Sequence, residues 1–261
     1  MNRPAPSLAA RTTGLAYATV GFTITHLVFG AVILFLLDWV PYPSVDRAPA
    51  AGVAIAVPID LLLVALFGLQ HSGMARNAVK RLSARLLPES LERATYVHVA
   101  NLSLALLVFA WRPIPITLWS VDAVWARYAL MGIFVLGWGL AFAGSVMIDH
   151  LQLLGMSQAW NWFRGRPYEI KPFQRHWLYE RVRHPIQLGL ILAFWAAPHM
   201  TAGHLIFAAA LTFYILIGTS LEERDLVASF GEDYAAYRKR VPGLTPRLWP
   251  RRSQPPGEPA P

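Results

Sequence analysis

Cysteine is absent from the chain, which removes disulfides, thiolate metal sites and a cysteine nucleophile at once and leaves the redox compartment unmarked. Charge is scarce as well. Only 15% of the 261 residues are Asp, Glu, Lys or Arg, against 55% hydrophobic residues and a mean hydropathy of +0.40. That balance excludes an ordinary soluble domain and points to an integral membrane protein. Within the small charged fraction acids are the minority, 15 against 23 Lys and Arg, for a net charge of +8. The excess does not point to nucleic acid, because the basic residues stand in short clusters beside apolar segments, as loops facing an anionic leaflet do. No small-residue cleavage motif follows the first apolar segment, so it reads as a span that stays.

What is present is a series of apolar runs. A spanning helix needs ~20 mainly apolar residues. Leu15 to Trp39, Ala51 to Gln70, a shorter Tyr96 to Trp111, and Tyr128 to Ile148 meet that demand. Ile186 to Ser220 is too long for one span and is broken at Pro198-His199-Met200-Thr201-Ala202-Gly203, which predicts a helical hairpin with a short first arm. The expected fold is therefore all-α: a polytopic bundle of five to six spans, six preferred, followed by an amphipathic C-terminal helix. If the N-terminus is cytoplasmic, all but three of the 23 Lys and Arg (Arg47, Arg112 and Arg127) fall on the cytoplasmic side, which predicts both termini there. We expect a single membrane domain over residues 1–250, with a cassette at about 176–248, and a frayed, proline-rich tail over 251–261.

Of the eight histidines, His71, His98, His150, His176 and His184 share one membrane level, His199 and His204 the other, and His26 lies within the first span. No helical ligand spacing joins them, so no metal is expected. Interfacial anchoring of helix ends accounts for most of them. Asp60 is costly inside an apolar span unless paired, and the neighbouring Pro58 offers freed carbonyls; a kink and a substrate-facing role are both open. Gly137, Gly139, Ala143 and Gly144 form a small-residue stripe for close helix packing.

The C-terminal cassette carries the chemistry. Arg183 and His184 precede Pro185, which suits the first turn of a helix, and an Arg beside a helix N-terminus suits an anion. Beyond the hairpin, Glu222 and Glu223 return to the same interface, where carboxylates suit ribose hydroxyls or an ammonium group. If the next segment is helical, Tyr234, Tyr237, Arg238 and Val241 share one face, offering two rings to an adenine or a sulfonium. The same residues also read as an amphipathic tail lying on the membrane.

In order, Arg183-His184-Pro185, the hairpin, Glu222-Glu223 and Phe230-Gly231-Glu232-Asp233-Tyr234-Ala235-Ala236-Tyr237 resemble the isoprenylcysteine carboxyl methyltransferase and phospholipid methyltransferase superfamily. The runs Phe67 to Arg76, Glu92 to Tyr96, Trp111 to Ile114 and Asp149 to Gly155 narrow the resemblance to membrane methanethiol S-methyltransferases and the related NnrU-type proteins. The resemblance implies S-adenosylmethionine as cofactor, held by Arg183, His184, Pro185, Glu222, Glu223, Tyr234, Tyr237 and Arg238. It implies a small thiol, methanethiol, as acceptor, giving dimethyl sulfide. Other acceptors in the superfamily are prenylcysteine, phospholipid or sulfide, and an NnrU-type accessory protein need not turn over at all. Two positions depart from the wider pattern: Gln187 stands where tyrosine is common, and Gln152 where an acid is common. A thiol must lose its proton to react, and His71 and His150, ending two different spans, are the candidate base or orienting group.

Overall fold

Apolar runs with no water to bond their backbone fold as helices, and the computed structural model of the chain, which describes residues 6–39, 43–47, 52–168 and 177–245, is built that way. In chain order come α1 (Leu8–Leu37), α2 (Val53–Met74), α3 (Asn77–Leu86), α4 (Glu89–Ala110), β1 (Thr117–Ser120), α5 (Val124–Ile148), α6 (His150–Leu153), α7 (Met156–Phe163), α8 (Pro185–Trp195), β2 (His199–Thr201) and α9 (Ala202–Arg240). Five of these, α1, α2, α4, α5 and α9, are long and apolar enough to cross a membrane. The tail beyond residue 245, His176 and the rest of 169–176 lie outside the described residues.

The hairpin exists, with differences from expectation. Its first arm, α8, has 11 residues and is about 16 Å long, short of a ~30 Å hydrocarbon core. Most of the breaker cluster continues as extended chain, where β2 pairs antiparallel with β1 from the loop after α4. These two short strands were not expected in an all-α bundle. They satisfy backbone groups that a tight helical turn would have left open. The second arm does not end at the Glu pair. It runs on to Gly231, whose φ of 55° and ψ of −131° suit glycine alone and break the helix there, and a second helical segment, up to Arg240, turns back toward α8 as the expected C-terminal helix. The third span also starts earlier than its apolar run, at Glu89, because Arg93 is absorbed: its Nε donates to Leu153 O at 2.6 Å and its guanidinium lies 4.7 Å from the Tyr96 ring.

Around the bundle the packing order is α1, α4, α2, α9, α8, α5, with α7 covering α1 and α4. The ring does not close. α1 and α5 approach only at isolated points, among them the rings of Phe29 and Trp138, 6.0 Å apart. At one end an aromatic core of Phe35, Trp111, Phe194 and Phe207 fixes α1, α8 and α9 together. Asp60, fully buried beside that core, accepts the Arg112 N–H at 2.9 Å and so ties α2 to the loop leaving α4. Asp60 thus has a structural partner at the opposite end of the bundle from the cassette.

α5 and α8 make the closest helix pair, through Gly137, Ala141, Gly144 and Gly189 and not through Gly139. A Cβ on Gly137 would lie 2.5 Å from Gly189 O and 2.8 Å from Ala193 N, whereas one on Gly139 meets nothing within 4 Å. Gly137→Ala is therefore expected to destabilise the protein by about 1 to 3 kcal/mol through forced helix separation, and Gly139→Ala to leave it unchanged or slightly firmer. Thermal unfolding of the two variants in one detergent checks this. Equal midpoints would remove the packing argument.

Candidate functional site

Arg183 and His184 stand at the mouth of α8, where Pro185 occupies the first turn and is fully buried. The end of the chain returns to them. Arg183 N donates to Pro242 O at 2.9 Å and His184 N to Gly243 O at 3.1 Å. The Arg183 side chain extends that clamp: Nη1 donates to Arg238 O at 2.8 Å and to Val241 O, and Nε donates to Glu223 Oε1 at 2.8 Å. His184 Nε2 donates to the same oxygen at 3.0 Å, and Arg238 Nε reaches Glu223 Oε2 at 3.1 Å. Three cationic or donor side chains thus converge on one carboxylate.

The adjacent acids consequently have different surroundings. Glu223 has 10% of its side-chain surface exposed and spends its oxygens inside the protein, whereas Glu222 has 50% exposed. Glu222 meets Gln187 Nε2 at 3.4 Å and lies 3.8 Å from His184 Nδ1. Arg93, Tyr96, Tyr179 and Tyr214 lie within its electrostatic reach. An open carboxylate beside aromatic rings is suited to an ammonium, a sulfonium or a ribose hydroxyl.

Tyr234 and Tyr237 do lie on one face with Val241, as the spacing predicts. That face turns inward: each ring is 2% exposed, packed with Val241 against Leu226 and Val227, and Tyr237 OH donates to Tyr179 O at 2.6 Å. The rings support the cassette from beneath. Burial, with Glu222 nearby, holds the Tyr179 hydroxyl's pKa well above its ordinary value, so it stays a neutral donor.

His71 sits in the same region, between the rings of Phe67 and Tyr96 at 5.3 and 5.2 Å and near Tyr214 at 6.5 Å. Its Nδ1 is buried with no hydrogen-bond partner. Tyr214 OH and Ser72 Oγ lie 3.2 Å apart beside it. His150 is placed differently, at the inner end of the α1–α5 opening. Its Nδ1 is 2.9 Å from Ser145 Oγ and its Nε2 is 3.2 Å from His26 Nε2. Ser145 donates its proton to Phe142 O at 2.7 Å, so it accepts from His150 Nδ1–H; His26 Nδ1 must likewise donate to Phe22 O at 2.8 Å. The two facing Nε2 atoms are then both satisfied only by sharing one proton. Burial first, and His26 next, lower the His150 pKa, while Asp149 opposes them, so a second proton is disfavoured there.

His98, by contrast, serves as an anchor: Nε2 donates to Tyr17 O at 3.0 Å and its ring stacks on Tyr17. The sequence reading did not assign roles to Arg93, Tyr96, Tyr179 or Tyr214. Arg93 and Tyr96 stood in the run Glu92 to Tyr96 that carries the resemblance, whereas Tyr179 and Tyr214 left no signal. Among the described residues, no group of three or more His, Asp or Glu could hold a metal ion.

The chain is 46% identical over 243 residues, 93% of each chain, to methanethiol S-methyltransferase 2 of Bradyrhizobium diazoefficiens. It is 44% identical over 238 residues to the methanethiol S-methyltransferase of Mycobacterium tuberculosis, covering 91% of this chain and 97% of that one. A more distant likeness, 30% over 210 residues with 77% and 75% covered, is to nurim of Danio rerio. No family model matches the chain, and no solved structure does. On the extent of those alignments, a membrane helix bundle with its C-terminal segment clamped to the mouth of a half-length helix belongs to the methanethiol S-methyltransferase family.

Proposed function

We propose that the chain transfers a methyl group from S-adenosylmethionine to methanethiol, releasing dimethyl sulfide. The observation that carries the acceptor is kinship: relatives named methanethiol S-methyltransferase align over more than nine tenths of the chain. The donor rests on the cassette, whose open carboxylate at Glu222 fits a cationic ligand, and the unpartnered His71 Nδ1 of α2 beside it fits a group that loses a proton. When bound, S-adenosylmethionine supplies an electrophilic methyl group on a positively charged sulfur.

The protein's own residues then have divided tasks. Arg183, His184, Glu223 and Arg238 hold the C-terminal segment over the mouth of α8, with Pro185, Tyr234 and Tyr237 packed beneath. Glu222, steadied by Gln187, faces the ligand's positive charge. His71 accepts the thiol proton, and the surrounding rings of Phe67, Tyr96 and Tyr214 keep water away, so that a thiolate formed there stays reactive. The single membrane domain over 1–250 gives a small apolar thiol access from the bilayer.

Purified protein given S-adenosylmethionine and methanethiol is expected to release dimethyl sulfide into the headspace. Cofactor binding without methylation of any thiol would move the acceptor toward lipids, and no cofactor binding at all would favour an accessory role. The basic asymmetry also leads us to propose cytoplasmic termini. A C-terminal reporter that fluoresces only in the cytoplasm is expected to be bright. A dark fusion with a bright periplasmic counterpart would invert the topology.

A further inference from the structure

The end of the bundle opposite the cassette holds a half-open cavity of about 560 Å³, where α1 and α5 fail to close the ring. Its inner wall is apolar, with Leu36, Met131, Phe134 and Ala196. Its side wall is buried and polar. Asp46 Oδ1 accepts from Thr201 Oγ1 at 2.6 Å, and Asp46 Oδ2 faces His204 Nδ1 at 3.6 Å, with Asp46 8% and His204 3% exposed at the side chain. His204 Nε2 lies 3.0 Å from Phe194 O, and its Nδ1 has no hydrogen-bond partner. A buried carboxylate and a buried imidazole nitrogen thus face each other beside an open volume, too far apart to hydrogen-bond, and a cationic donor placed in the cavity would meet the Asp46 carboxylate there.

The rim supplies the opposite charge. Arg47 is occupied by Asp38, to whose carbonyl oxygen it donates at 2.7 Å. Arg127 also lines the cavity, and its guanidinium has no ion pair or hydrogen bond among the described residues. Trp39, Trp125 and Tyr128, 69%, 76% and 75% exposed, surround this level as headgroup-depth aromatics do. A buried carboxylate wall, a guanidinium without a partner among the described residues and an apolar slot match one kind of molecule.

We propose that this cavity binds an aminophospholipid of the leaflet opposite the cassette, with its ammonium on Asp46, its phosphate on Arg127 and an acyl chain in the α1–α5 gap. The lipid would close the ring that the protein leaves open. The test is native mass spectrometry of the full chain, delipidated and then offered phosphatidylethanolamine or phosphatidylglycerol, which share the phosphate and differ in the ammonium. Retention of a single phosphatidylethanolamine is expected, at least about tenfold stronger than phosphatidylglycerol, and lowered about tenfold or more by Arg127→Ala, whose exposed side chain is not needed for folding. Met131→Trp, which fills the slot, is expected to lower retention of both lipids. Equal retention of the two headgroups overturns the assignment, as does an Arg127→Ala protein that holds lipid like the wild type or a wild type that retains none.

Discussion

Arg183→Ala is expected to lose about a hundredfold in affinity for S-adenosylmethionine and to expose the segment after Gly231 to proteases, while the membrane bundle stays folded. Arg183 and Glu223 are both about a tenth exposed, 11% and 10% at the side chain, so removing one partner leaves a nearly buried carboxylate. Breaking such a pair costs about 3 to 5 kcal/mol, and the low end applies because His184 and Arg238 still reach Glu223. Arg183→Lys should not restore function, since one ammonium cannot replace a planar fork that serves Glu223, Arg238 O and Val241 O together. Glu222→Gln makes the contrasting case. Half exposed, it should change stability by less than about 1 kcal/mol yet weaken cofactor binding roughly tenfold to a hundredfold. Calorimetry paired with limited proteolysis separates the two outcomes. Wild-type affinity in both folded variants would leave the cassette a structural clamp with no part in holding the cofactor.

The division of labour within Glu222-Glu223 was not legible in the sequence, because adjacent residues on a helix point about 100° apart and only the packing decides which one turns inward. The spans were legible. Runs of apolar residues have one solution in lipid, and the hairpin breaker at Pro198 to Gly203 announced itself through residues that resist helix. The register of the last segment was half legible: helical spacing placed Tyr234, Tyr237 and Val241 on one face, but whether that face meets a ligand or the protein depended on the turn at Gly231. The stripe in α5 shows the same limit. Gly137 and Gly139 look alike in sequence, yet only Gly137 faces α8, since the direction of a helix face is set by its neighbour. Arg93 and Tyr96 share a face of α4 three residues apart, but Tyr179 and Tyr214 come from other elements, so only folding brings the four together near Glu222.

His71→Asn is expected to lower kcat/KM for methanethiol by a factor of roughly 10² to 10⁴ at neutral pH, with affinity for S-adenosylmethionine nearly unchanged. A free thiol has a pKa of about 8.5 or above, so at pH 7 most substrate arrives protonated and the protein must take the proton. His71 is placed for that task because its Nδ1 has no hydrogen-bond partner and lies among the rings of Phe67 and Tyr96 near the Glu222 site. His150 Nδ1 is held by Ser145 and its Nε2 faces His26 Nε2, which fits an orienting or relay position better than a primary acceptor. His150→Gln should therefore cost only about tenfold. Its pKa is lowered, chiefly by burial, so wild-type His150 keeps its neutral form down through the ordinary histidine value of about 6.5 and gains a proton only below it. Any acid limb that His150 contributes to the pH profile must then lie below about 6.5 and vanish in His150→Gln. Raising the pH from 7 to 8.5 should recover only about 15- to 30-fold of the His71→Asn loss, the growth of the thiolate fraction in solution. A His71→Asn enzyme within about twofold of wild type at pH 7 would overturn the assignment and leave deprotonation to the ligand's positive charge and to water.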